Sequence, residues 1–147
     1  MVSEFIHRRR VEFSETDMAG IVHFAHFFRW MESAEHAFLR SLGFSVHSAR
    51  EGQVSGWPRV QATCDYKHPL RFEQEVEVAL HVAEVRTRSV RYGFVIRLPG
   101  GEPAATGGVV AVYALLDPAT GGLRAAPLPA DLRPHLERWC AAGIAQG

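Results

Sequence analysis

The chain predicts an α+β domain in which a curved antiparallel sheet of about five strands wraps around one long central helix, with a second helix at the C-terminus. Two observations predict it. Only one long segment, ending near Leu42, keeps its apolar residues at helical spacing, with Phe24, Phe27, Phe28, Met31, Ala34, Phe38 and Leu42 on or near one face. Past Pro58 the period changes to two and stays there through four consecutive runs. One helix beside several consecutive strands implies an antiparallel sheet that buries the helix against one face.

The elements follow in order. Phe5 to Phe13 alternate loosely and read as a strand entering a polar turn at Ser14 to Asp17. The central helix is expected from about Ile21 to Leu42, with Gly43 as its stop. Phe44 to Gly56 reads as a polar connection, with room for one short helical turn. Val60, Ala62, Cys64 and Tyr66 then make one face of a strand whose regular pairing ends by Pro69. Val76, Val78, Leu80 and Val82 make the inner face of the next, and Val90, Tyr92, Phe94, Ile96 and Leu98 that of a third. Pro99 to Pro103 holds Gly100 and Gly101 and forms a hairpin turn. Ala105 to Leu116 has two nearly apolar faces, as expected of a strand covered on both sides. A terminal helix around Leu132 to Ala142 buries Leu132, Leu136 and Trp139.

At 147 residues the chain fits a single domain with a real core, residues 1–147. Sixteen basic and sixteen acidic residues cancel, so bulk attraction to nucleic acid or anionic membrane is not expected. Cys64 and Cys140 are too few for a disulfide scaffold or a cysteine zinc site. MVSEF lacks the basic start and apolar core of a secretory signal, and no run is long enough to cross a bilayer. A cytoplasmic protein is the expectation.

Asp17 and Gly20 stand just before the expected helix. A first helical turn has unpaired N–H groups and the positive end of the peptide dipoles, so it holds an anion or polarises a carbonyl. A carboxylate beside such a donor suits hydrolysis, and it equally suits a helix cap. His23 and His26 share a helix face but lack the further ligands of a metal site, so no metal is expected. Glu35 is expected to pair with Arg29 or Arg40 at the surface, and Glu32 to be half-buried. Cys64 reads as a small buried hydrophobe. No serine sits in a nucleophile elbow, and the glycines at 100, 101, 107 and 108 do not form a phosphate loop; a hairpin and a close backbone approach explain them.

The run FSETDMAGIVHFAHFFRWMESA, joined to a long helix and four alternating strands, resembles the hotdog-fold acyl-CoA thioesterases, in particular the 4-hydroxybenzoyl-CoA thioesterase-like group. The resemblance implies hydrolysis of an acyl- or aryl-CoA thioester to a carboxylic acid and free coenzyme A. It also implies a homodimer with two interface active sites, often paired again into a homotetramer. Coenzyme A enters as part of the substrate, with no separate cofactor. Asp17 falls on the catalytic carboxylate, as nucleophile or general base, and Gly20 or Ile21 on the oxyanion donor. A related bacterial branch, linked to the Tol–Pal cluster, carries a tyrosine and a histidine where this chain has Phe13 and Phe24, so Asp17 would work without those polar helpers. For a CoA thioester the apolar slot is assigned to Phe24, Phe27, Trp57 and Val60. His23 and Glu32 are candidates to line it, and Arg59, Arg86 and Arg88, with Lys67 and Arg91, to ring its mouth. A hydroxyacyl-thioester dehydratase and a noncatalytic acyl-CoA-binding protein are the alternatives.

Overall fold

A computed structural model describes residues 3–50 and 52–145 of the chain. Its main sheet has five antiparallel strands in the spatial order β1-β5-β6-β7-β4. These are β1 (Phe5–Arg10), β4 (Arg59–Tyr66), β5 (Glu75–Val85), β6 (Ser89–Arg97) and β7 (Pro103–Val112). Helix α1 (His26–Ser41) lies across one face of the sheet, and α2 (Arg133–Ala145) packs beside β5. The expected architecture is the one observed.

Alternation decides which face meets α1. Register places Leu80 opposite Phe94, and Phe94 opposite Gly107. Val76, Val78, Leu80 and Val82 therefore share a layer with Val90, Tyr92, Phe94 and Ile96, and all are buried. Against this layer α1 sets Phe27, Trp30, Met31, Ala34 and Phe38, spaced by three and four residues. Each large side chain so buried contributes roughly 1.5–3 kcal/mol. Leu132, in the turn before α2, and Leu136 of α2 are also in the core, and Trp139 meets Phe38 edge to face at 5.2 Å.

Gly107 lets α1 approach the sheet. A Cβ there would collide with the Met31 side chain and the Thr63 carbonyl oxygen. Because one obstacle is backbone, Gly107→Ala is expected to destabilise the fold by about 1–3 kcal/mol, measured by urea unfolding.

Four local expectations need correction. The first strand ends at Arg10 rather than Phe13, and Phe13–Glu15 forms a 3-10 turn. The helix begins at His26, not Ile21, because Val22 is drawn into the core with its N–H on the Leu70 carbonyl and bridges Thr16 instead of coiling. The connection after Gly43 holds two short strands, β2 (Ser48–Arg50) and β3 (Gln53–Gly56), where a polar connection with room for one helical turn was expected. The strand expected at 105–116 is split at Tyr113, and β8 (Ala114–Leu116) leaves to join a second small sheet, β2-β3-β8-β9, completed by β9 (Leu123–Ala125). Among the described residues, no helix is long and apolar enough to cross a membrane.

Candidate active site

Asp17 sits on a tight loop between the 3-10 turn and α1. Its N–H donates to the Ile21 carbonyl at 2.9 Å, and its own carbonyl accepts from Gly20 N–H at 2.9 Å. Gly20 has φ +80°, a left-handed conformation that glycine adopts without strain. The Asp17 carboxylate is exposed, and its Oδ1 accepts from Ala19 N–H at 2.8 Å. A carboxylate side chain therefore faces solvent on a closed backbone loop.

The expected oxyanion donors change accordingly. Gly20 N–H is occupied by the Asp17 carbonyl, and the N-terminus of α1 lies several residues beyond Ile21. Ile21 N–H makes no hydrogen bond among the described residues and remains available. Two adjacent β-branched residues, Ile21 and Val22, were the sequence signal against an early helix start.

Around this loop is a cluster of exposed apolar side chains. Phe13 and Phe72 meet edge to face at 5.7 Å, and Met18 and Phe24 are open to solvent. The His23 ring tilts against Phe24 at 4.7 Å, and its Nδ1 accepts from Ala25 N–H at 3.3 Å. Sequence reasoning did not single out Tyr66 at the end of β4. Its hydroxyl donates to the Phe24 carbonyl at 2.9 Å, and its ring packs against Phe27 at 5.0 Å. Burial, with the neighbouring Cys64, pushes its phenol up to about 12, which keeps it a donor. Its place on the inner face, in step with Ala62 and Cys64, was the available signal.

Further along α1, Phe28, Met31 and Phe94 wall a slot of about 230 Å³ whose polar side is Glu32, Glu35 and Arg59. Glu35 is not the surface residue expected: its side chain is 2% exposed and takes both terminal nitrogens of Arg59. Burial pushes the Glu35 carboxyl up, against the pull of the Arg59 guanidinium. Glu32 is more open than expected and stands 3.8 Å from Arg59.

The other assigned residues lie elsewhere. Phe27 is a core residue, 3% exposed, so it cannot line an open slot. The helical period that suggested it is also the period that buries it. Trp57 packs on Tyr113 at 5.1 Å, in a cleft with Leu39 and Gly43 at the C-terminal end of α1. Val60 and Arg86 line an open groove of about 410 Å³ with Glu84 and Arg91. Glu84 pairs with both Arg86 and Arg91, and they hold its carboxyl below the usual range. Arg88 is exposed in the β5–β6 turn. Lys67 is exposed just past the end of β4.

A five-stranded antiparallel sheet wrapped on one long helix is the hotdog architecture of thioesterases. The chain belongs to the thioesterase-like superfamily, which it matches over residues 11–136. An Aquifex aeolicus (strain VF5) protein that carries a provisional esterase name is 38% identical over 92 residues, 63% of this chain and 71% of that one. A 1,4-dihydroxy-2-naphthoyl-CoA hydrolase of Prochlorococcus marinus (strain NATL2A) is 26% identical over 106 residues, 67% of this chain and 68% of that one. The solved structure of a gentisyl-coenzyme A thioesterase is 28% identical, with a TM-score of 0.74 over 90% of this chain and 99% of that chain.

Proposed function

We propose that the chain hydrolyses an aryl-CoA or acyl-CoA thioester at two sites of a homodimer formed by pairing its β4 edges. The carrying observation is the state of β4. Among the described residues it is an edge strand, hydrogen-bonded on one side only, to β7, and most of its residues are exposed. An open strand of this length is normally covered or blunted. Its two ends also hold different parts of the candidate site: Tyr66 reaches the loop of Asp17, while Arg59 and Val60 belong to the slot and the arginine groove. Those ends are about 20 Å apart at the rise of a strand. Antiparallel pairing of two copies brings the Asp17 end of one against the Arg59 and Arg86 end of the other.

In such a site the Asp17 carboxylate attacks the thioester carbonyl, giving a mixed anhydride that water cleaves, or it takes a proton from an attacking water. Either route expels coenzyme A as its thiol. Ile21 N–H is the backbone donor available to the developing oxyanion. The slot beside Arg59 has apolar walls for an aromatic acyl group and an open carboxylate, Glu32, to accept a hydrogen bond from a ring hydroxyl. The names of the naphthoyl-CoA and gentisyl-CoA relatives support a hydroxylated aromatic acid as product. Arg86, in the groove beside Val60, and the nearby Arg88 are proposed to meet the phosphates of coenzyme A. A dimer of dimers extends the same proposal.

The test is thiol release from a panel of benzoyl-, hydroxybenzoyl-, hydroxynaphthoyl-, butyryl- and palmitoyl-CoA, with the solution mass measured in parallel. The expected result is fastest turnover on a hydroxylated aromatic thioester by a species of two or four 16.3 kDa chains. Full activity from a monomer would overturn the interface site. Binding without release across the panel would make the chain an acyl-CoA-binding protein instead.

A further inference from the structure

We infer that Glu15 is a positioning residue for Asp17, its buried carboxylate tying the loop that carries the reactive group to the central helix and the first strand. This rests on the reading of Asp17 above. The Glu15 side chain is 9% exposed and fully engaged. Its Oε2 accepts from the Trp30 indole N–H at 2.7 Å and from Arg9 Nη2 at 2.5 Å, and its Oε1 accepts from Glu12 N–H at 2.8 Å. The Glu15 carbonyl takes His23 N–H at 2.9 Å, closing the base of the loop. The Arg9 guanidinium in turn lies 5.0 Å over the Trp30 ring. One side chain thus joins β1, the 3-10 turn and α1.

Asp17 has no comparable hold of its own. Among the described residues its carboxylate is bonded only to Ala19 N–H, inside the same loop, so that contact shapes the loop without placing it. Placement comes from the loop's base: Val22 N–H on the Leu70 carbonyl, and Glu15. Thr16 alone separates Glu15 from Asp17, and it is bridged to Val22.

A carboxylate is an expensive way to fill that space if stability is the sole role, since apolar side chains of similar volume often stabilise as well or better. Hydrogen bonds add direction, which apolar packing does not. Burial alone would push the Glu15 carboxyl up; the Trp30 indole, the Glu12 N–H and Arg9 outweigh it and hold the group below its usual range. The group therefore stays an anion that accepts from all three donors at once. Misplacing a reacting group by about 1 Å can lower a rate about 100-fold, so an anchor two residues away has leverage on turnover.

The experiment compares Glu15→Gln, Trp30→Phe and the double variant with the full chain, by thiol release from whichever panel thioester is turned over fastest, with kcat expressed per folded protein. Glu15→Gln should lower kcat about 10- to 100-fold and leave KM within about threefold. Trp30→Phe, which deletes the indole N–H, should lower kcat in the same direction, and the double variant should be no worse than Glu15→Gln alone, because the two act as one unit. Leu136→Ala, a core deletion in α2, should lower stability but keep kcat per folded molecule. Wild-type kcat in folded Glu15→Gln, or losses that multiply in the double variant, would overturn the anchor. An equal loss in Leu136→Ala would reduce it to general stability. If Glu15→Gln does not fold, Trp30→Phe and Arg9→Met carry the test, and unchanged kcat in both overturns it. Asp17→Asn separates the two ideas: its retained turnover removes the reading of Asp17, whereas an inactive Asp17→Asn beside a fully active Glu15→Gln removes the anchor alone.

Discussion

Asp17→Asn lowers kcat for CoA thioester hydrolysis by at least about 100-fold while leaving the unfolding midpoint and the solution mass unchanged; this is the largest functional effect expected of a single substitution. The substitution keeps the size of the side chain and an oxygen that can accept from Ala19 N–H, so the loop can persist. It removes the charge needed either to attack a carbonyl or to take a proton from water. The side chain is exposed and holds no core contact, so no stability term of consequence should accompany the loss. Steady-state thiol release at saturating substrate, beside thermal unfolding, makes the check. Turnover within a few-fold of wild type would sink the assignment of Asp17.

Arg59→Leu is expected to carry the largest effect on stability, about 3 kcal/mol in chemical unfolding. Arg59 supplies the paired donors to Glu35, a buried residue of α1 itself. Leucine would leave that carboxylate without its cation. The sign of the pH dependence follows from the proton. Burial already raises the Glu35 carboxyl above its ordinary value of 4.5, and loss of Arg59 raises it further. The folded variant then binds a proton more tightly than the unfolded chain, so its stability falls as pH rises from 4.5 through the raised value. Unfolding at pH 5 and pH 8 should therefore show the smaller loss at pH 5. Glu35→Leu combined with Arg59→Leu should recover most of the stability, because the uncompensated charge is gone. A loss that is the same at both pH values would contradict the account.

Much of the fold was legible because burial repeats along the chain. Val76, Val78, Leu80 and Val82 alternate, and the structure puts all four against α1. Phe38 and Met31 fall on the helical stripe and reach zero exposure. The family motif around Asp17 was legible as well, since its parts lie within a few residues of one another. The helix start was misread because Val22 answers to Leu70, and the sequence order does not show that contact. Glu35 was placed at the surface because its true partner, Arg59, is 24 residues away and arrives only when β4 is laid beside the helix. Glu15 is hidden in the same way, with Trp30 15 residues on in α1.

The sequence by itself determined the kinds of the long elements, which faces of α1, β5 and β6 are buried, and the presence of a carboxylate on a glycine-containing turn before the helix. Those are local or periodic properties, and side-chain spacing carries them. Only the tertiary structure decided which charges are buried together, that Gly20 N–H is already occupied, and that the assigned site residues lie at opposite ends of an uncovered strand. Those properties depend on contacts between distant segments, and a contact of that kind leaves no period in the chain that makes it.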